Sequence, residues 1–392
     1  QPRVKRLTRS IPLLVVALLV TPLFADDDEL THRIPPGYQP EEADDERGLW
    51  NEMKEYERSL SKSALLVHDS EINAYIDDIV CRVAAAYCGD FRVYIIRNSN
   101  FNASMAATGM MQIWTGLITR ASSTDEIAAV VGHEIAHYTL LHSLENLRAL
   151  RKKMATGSVF DLVVIATTGV SSQIGQMTAV LSALAFNREQ ETEADLLGAT
   201  LLANASYDPH ASYRVWKQIL EEDEAAAVKQ EDHGVFAKTH PASEDRARYL
   251  ESWVTARYGE PDQKLVADEA FLHILNKYYM MLMEDQLATN RFGRTRELLE
   301  RHASIGVEPS LVRYFYGEMF RQRGGEGDAE LAIAAYRHSI EGGSPPPKAY
   351  SNLGYLLLKQ GDIDAARDSF RTYLEVDPDA SDRAMIEFYL EE

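Results

Sequence analysis

His133, Glu134 and His137 stand together in His133-Glu134-Ile135-Ala136-His137. On an α-helix, residues four apart project from one face, so the two imidazoles converge at zinc-ligand separation. Glu134, beside the first histidine, can reach a water held by the metal. Zinc lowers the pKa of that water, and Glu134 can take its proton as it attacks a carbonyl. A five-residue pattern also arises by chance, and the competing reading is a pair of hydrogen-bonded core histidines. The surroundings favour chemistry. Ile127, Ala128, Val130, Val131, Ile135 and Ala136 make the helix apolar, and polar groups buried on it need a partner or a metal.

A second cluster lies downstream in Glu191-Thr192-Glu193-Ala194-Asp195, which runs into Leu196-Leu197-Gly198. Glu191 and Asp195 share a helical face. Glu191 is the candidate third metal ligand. Asp195 is the candidate acceptor for the distal ring N–H of a ligand histidine, which would fix its tautomer. Glu193 faces elsewhere and reads as solvated. The alternative is an acidic helix start favoured by the helix dipole. His240, in Thr239-His240-Pro241-Ala242-Ser243-Glu244, is a candidate fourth, displaceable ligand or oxyanion stabiliser. On spacing alone it reads as a loop histidine, and so does His142.

These residues need elements to hold them. Ser123-Thr124-Asp125-Glu126 reads as the cap of the helix that carries His133 and His137. Apolar residues at helical spacing run from about Gly48 to Ala86. Arg92 to Ile96 alternates as a strand, and Met111 to Trp114 is a second strand. As an edge strand just ahead of the motif helix, Met111 to Trp114 offers its backbone to an extended substrate. Cys81 and Cys88 would lie about 10 Å apart on one continuous helix, too far to bridge. A disulfide requires the helix to end between them, for which Gly89 is the candidate; two buried thiols are the alternative. Residues 159–185 carry a single charge, Asp161, and read as buried or lid-forming helices near the site, with membrane contact as the competing reading.

The C-terminal texture differs. Tyr350, Leu353, Gly354, Leu357, Ala366, Phe370 and Pro378 occupy tetratricopeptide positions in order, and Gly317, Phe320, Ala332 and Tyr336 repeat part of that pattern. Ala332 to Ala366 and Tyr336 to Phe370 are each separated by 34 residues, the length of one repeat. A degenerate earlier helix pair, from about Ala270 to Ala303, completes the stack. The fold expected is mainly α with a small β-sheet: a zinc peptidase domain over 48–262, then a tetratricopeptide α-solenoid over 263–392.

The whole chain has 392 residues, 45% of them apolar, and a formal net charge of −20. That charge repels phosphate backbones and anionic head groups, so nucleic acid is excluded as a partner and membrane contact is peripheral at most. Arg3, Lys5, Arg6 and Arg9 precede the apolar run Ile11 to Val20 and then Leu23-Phe24-Ala25, the order of a secretory signal peptide over residues 1–25. An uncleaved anchor is the alternative. Residues 26–47 read as a flexible acidic lead-in.

Taken together, His133-Glu134-x-x-His137, Glu191-x-x-Ala194-Asp195, Thr239-His240-Pro241 and Asn102-Ala103-Ser104-Met105 resemble the gluzincin peptidases that include the CAAX prenyl endopeptidase and HtpX. The export signal and repeat tail are similar to those of the periplasmic branch, the β-barrel assembly-enhancing proteases. The resemblance covers about residues 48–392. It implies a zinc endopeptidase with one Zn2+ per chain, bound by His133, His137 and Glu191. Glu134 is then the base, and His240 rises to a regulatory ligand. It further implies unfolded or misassembled envelope proteins as substrates, and contact with outer-membrane assembly machinery through the tail. Asn187 departs from the Ser-Arg usual before Arg188.

Overall fold

The computed structural model describes residues 32–41, 45–155, 186–226, 239–240, 243–261 and 267–391. The expected signal peptide over 1–25 and the apolar stretch over 159–185 lie outside the described residues. The described chain is mainly helical with one three-stranded sheet.

Helices α1 (Asp45–Leu60) and α2 (Ser70–Ala84) divide what the periodicity presents as one helical stretch. Between them, Leu66 makes a bridge to Ile96. Ala85 takes a positive φ of 50° and ends α2, and a short 3₁₀ turn follows over Ala85–Asp90. This break brings the Cα atoms of Cys81 and Cys88 to 4.5 Å, and the two cysteines are disulfide-bonded. The helix therefore ends four residues before Gly89, at Ala85.

In the sheet, β1 (Arg92–Ile96) pairs parallel with β3 (Met110–Trp114), and β2 (Ala103–Met105) pairs antiparallel with it. The strand containing Met111 to Trp114 is therefore central, not an edge. Gly109, with φ of +78°, closes the turn that folds β2 back onto it. The outer strands are β1 and β2: the segment Leu65–Val67 meets β1 at Ile95 and Arg97, and no strand among the described residues lies on the outer side of β2.

After the short helix α3 (Thr115–Arg120), the motif helix α4 (Thr124–Thr139) is buried continuously from Glu126 to Thr139. Ser123 caps it by accepting from the Glu126 N–H, and the Glu126 carboxylate accepts from the Ser122 N–H. Helix α5 (His142–Ala155) follows. Helix α6 (Arg188–Asn204) starts with an Asn187–Gln190 capping box and crosses α4 where Gly132 meets Gly198. A Cβ on Gly198 would lie 3.0 Å from the His133 amide nitrogen, and one on Gly132 3.1 Å from the Gly198 carbonyl oxygen. Only glycine lets the two backbones come this close, and that approach puts Glu191 and Asp195 opposite the histidines. Helices α7 (Ala211–Ala225) and α8 (Glu244–Tyr258) close the site's other wall.

Residues 32–41 are expected to be a loose lead-in, yet they pack on this core. Ile34 is buried, the Tyr87 hydroxyl donates to its carbonyl at 2.7 Å, and the Arg33 N–H donates to the Thr139 carbonyl at 2.9 Å. One buried apolar side chain and two backbone carbonyl bonds outweigh the local acidic composition.

The tail comprises α9 (Glu269–Leu287), α10 (Phe292–Ile305), α11 (Pro309–Arg323), α12 (Asp328–Glu341), α13 (Lys348–Gln360), α14 (Ile363–Val376) and α15 (Arg383–Glu391). Tyr336 lies against Gly317 and Phe370 against Gly354, so a Cβ on either glycine would strike the ring at about 2.5–2.6 Å. The aromatic thus fills the space within its own helix pair, whereas the repeat pattern alone suggests the groove to the next one. One apolar core runs from Ile34 through to Ile386, and a second, smaller one packs α1 against the sheet around Trp50, Tyr56, Met110 and Trp114.

Candidate metal centre

Four side chains meet on the α4–α6 crossing: His133, His137, Glu191 and His240, each buried and offering one ligand atom within 4.8 Å of the others. His133 Nε2 lies 3.0 Å from His137 Nε2 and 3.1 Å from His240 Nδ1. Glu191 Oε1 lies 2.8 Å from His240 Nδ1 and 3.4 Å from His137 Nε2, and Glu191 Oε2 lies 3.6 Å from His133 Nε2. A tetrahedral zinc with bonds of ~2.0–2.1 Å has ligand–ligand edges of about 3.3 Å, so the cluster has the size of a zinc site.

The proton arrangement fits as well. His133 Nδ1 faces Asp195 Oδ1 at 3.0 Å, which places the ring proton there and leaves a lone pair on Nε2. His137 Nδ1 faces His142 Nδ1 at 2.9 Å, again leaving Nε2 free. Burial also pushes the His137 imidazole well below its ordinary pKa, keeping it neutral. Several lone pairs therefore point at one another across about 3 Å, and a shared cation would satisfy them together. The residues fit zinc.

Charge around the cluster is managed from a second layer. Arg246, on α8, donates to both Asp195 oxygens at 2.6 and 2.7 Å and approaches Glu191 Oε2 at 2.5 Å. Its guanidinium stacks on Trp216 of α7, whose ring meets His133 edge-on. Burial pushes the Glu191 carboxyl up, but His240 and Arg246 overcome this and hold it well below the usual carboxylate range. Arg246 similarly outweighs burial at Asp195 and keeps it ionised. Glu134 differs: burial pushes its carboxyl up against the pull of His240 and His133. Its Oε1 has no hydrogen-bond donor and lies 3.5 Å from His240 Nε2. The Met105 N–H, at the open edge of β2, donates to this carboxylate. Phe186 stacks on the His137 ring at 3.8 Å.

The five residues that helical spacing singles out, His133, Glu134, His137, Glu191 and Asp195, are thus brought together, and His240, a loop histidine on spacing alone that the family resemblance raises, joins them. Two that spacing set aside also belong here. His142 is fully buried beside His137, and its position five residues beyond that ligand, in an apolar stretch, was the available signal. Glu193 is not merely solvated, since its Oε2 lies 3.2 Å from His142 Nε2. Arg246 was missed; the sign of it is a cation placed just after the Ser243 cap, within the first turn of the helix that follows His240.

Residues 67–254 match the profile of peptidase family M48, and residues 347–380 match that of the tetratricopeptide repeat. The chain is similar to the mitochondrial metalloendopeptidase OMA1 of Schizosaccharomyces pombe, 29% identical over 184 residues, or 46% of this chain and 52% of the relative. It is similar to the putative β-barrel assembly-enhancing protease of Vibrio cholerae, 28% identical over 202 residues, or 49% of this chain and 41% of the relative. The β-barrel assembly-enhancing protease of Escherichia coli strain K12 is 24% identical over 201 residues, or 49% of this chain and 40% of the relative. The chain therefore spans about half the length of the curated relatives it matches, or less.

Proposed function

Residues 67–254 match the profile of peptidase family M48, and from that match we propose that the chain is a zinc-dependent metalloendopeptidase. The observation that carries this is the buried, zinc-sized cluster with an unsatisfied carboxylate oxygen beside it. His133, His137 and Glu191 are the ligands, Asp195 orients His133, and His240 is a displaceable fourth ligand. Bound zinc supplies Lewis acidity and a water of near-neutral pKa. Glu134 accepts the proton at Oε1, and its upward-shifted pKa brings it closer to the pH at which a base works best. The open edge of β2 lies beside Glu134 and can pair with an extended peptide. The exchange of Met111–Trp114 for Ala103–Met105 as this edge does not change the class of substrate, which is unfolded polypeptide.

Envelope proteins, misfolded or misassembled, are the substrates in this reading, with the periplasm as the compartment. The signal-like order of residues 1–25 supports it, as do relatives named for β-barrel assembly. Other relatives are named as mitochondrial, so the compartment rests chiefly on those first residues. No helix among the described residues is long and apolar enough to cross a membrane. The peptidase unit is assigned to 48–262 and the client-recruiting repeats to 263–392. The Glu134→Gln variant should lose about 10²–10⁴-fold in hydrolysis of unfolded casein while retaining one equivalent of zinc. Wild-type turnover by that variant would refute the assignment of the base.

A further inference from the structure

His137 reaches the surface through a chain of contacts that the metal cluster itself does not require. Its Nδ1 lies 2.9 Å from His142 Nδ1, and His142 Nε2 lies 3.2 Å from Glu193 Oε2. Arg33 closes the chain. Its Nη2 donates to the same Glu193 oxygen at 2.9 Å, and its Nη1 donates to the Leu140 carbonyl at 3.1 Å and to Glu145 Oε1 at 2.5 Å. The other Glu145 oxygen accepts from the Gln190 side chain at 3.0 Å. The guanidinium therefore ties the end of α4 and the starts of α5 and α6 at one point.

The proton directions are determined once His137 keeps a lone pair on Nε2. Its Nδ1–H then donates to His142 Nδ1. The remaining proton of His142 lies on Nε2 and donates to Glu193. Every bond in the chain points from the cluster to the carboxylate, as in a carboxylate–histidine–metal triad with a second imidazole interposed. Asp195 does this for His133 directly, braced by Arg246. Glu193 does it for His137 at one remove, braced by Arg33. The two ligand histidines are held in the same way, by a carboxylate under an arginine.

We propose that His142, Glu193 and Arg33 are positioning residues of the metal centre, and that the segment around Arg33 and Ile34 is thereby a structural part of it. The proposal rests on the metal reading above. Ion pairs as exposed as Arg33–Glu193, at 40% and 39%, contribute little to stability on their own. Their consequence here is orientation of a buried ligand. The segment is anchored independently, by buried Ile34 and by the Arg33 N–H on the Thr139 carbonyl. Removing the guanidinium should therefore loosen His137 without unfolding the chain.

The test uses the full chain. Glu193→Ala and Arg33→Met should each raise the zinc dissociation constant about tenfold, the lower end of the range for outer-layer partners. The double variant should cost little more than either one, and Arg33→Lys should recover part of the loss. Melting temperatures of the zinc-free proteins should match wild type. Visible absorption of the cobalt(II)-loaded Glu193→Ala protein should shift relative to wild type. Glu193→Ala lies on a half-exposed helical surface, so it remains informative even if Arg33→Met folds poorly. Zinc affinity within twofold of wild type and superimposable cobalt spectra would overturn the proposal. Failure of the wild-type protein to bind one equivalent of zinc would instead overturn the metal reading, and the relay with it.

Discussion

At the scale of single residues, His240 carries the sharpest test of the proposed site. Its Nδ1 sits 3.1 Å from His133 Nε2 and 2.8 Å from Glu191 Oε1, and its Nε2 faces Glu134. In the proposed reading, this ring occupies the place that a hydrolytic water and a substrate carbonyl need. Where such a residue shuts the site for nine-tenths of the time, removing it raises the competent fraction about tenfold. His240→Ala should therefore raise kcat/KM on unfolded casein by roughly that factor, with zinc still held by His133, His137 and Glu191. A loss of tenfold or more would assign His240 to the transition state as an oxyanion donor. Which residues were legible in the sequence follows from how they are linked. His133 and His137, and Glu191 and Asp195, are helical neighbours, so the spacing of a helix reveals them. Arg246 meets Asp195 across 51 residues and Arg33 meets Glu193 across 160. No local pattern connects such partners, and only the packing of the helices brings them together.

At the scale of elements, the crossing of α4 and α6 sets ligand spacing, and two glycines set the crossing. Gly198→Ala would place a methyl 3.0 Å from the His133 amide nitrogen and 3.1 Å from its Cα, both backbone atoms that cannot turn aside. The helices must part by a few tenths of an ångström, and Glu191 and Asp195 move with α6. Overpacking of this kind costs about 1–3 kcal/mol. The variant should melt lower without metal, and zinc titration should show an affinity weaker by about tenfold. A lower melting point with unchanged affinity would mean that the crossing supports the fold but does not space the ligands. The elements themselves were largely legible. Ser123 caps the motif helix, Arg92–Ile96 and Met110–Trp114 are strands, and Gly317 and Gly354 mark the repeats. Their neighbours were less so. Met110–Trp114 is buried throughout because strands flank it on both sides, and strand order is a tertiary property. The end of α2 at Ala85 was hidden because an alanine with positive φ carries no signal in its residue type, and the Cys81–Cys88 bond depends on that break. Residues 32–41 looked unstructured because composition cannot show that Ile34 finds a socket.

At the scale of the molecule, the peptidase unit and the tail meet through a buried polar joint. Arg120, at the end of α3, pairs with Glu222 of α7 at 2.9 Å, and Glu222 also takes Arg301 of α10 at 2.6 Å. Gln286 of α9 accepts from Arg120. His302, adjacent to Arg301, uses both ring nitrogens: Nε2–H donates to the Thr119 carbonyl at 2.8 Å, and Nδ1 accepts from the Tyr279 hydroxyl at 2.9 Å. Burial pulls the His302 imidazole down to about 4, and Arg301 and Arg120 add to that pull against the Thr119 bond. The folded-state pKa therefore lies below the unfolded value of 6.5. Between the two, the unfolded chain binds the proton first, so the full contribution is present above pH 6.5 and drains away as pH falls towards 4. The upper bound is about 3 kcal/mol. Denaturant melts of the full chain from pH 7 to 4.5 should show stability falling with pH, and the His302→Gln variant should fall less steeply over that window. Equal slopes would mean that His302 does not titrate with unfolding. Because the joint takes groups from α3, α7, α9 and α10, its failure should release the tail and loosen α3 together. Fluorescence and circular dichroism should then report one coincident transition on acidification, and two separated transitions would show that the repeats and the peptidase unit unfold independently despite their common core.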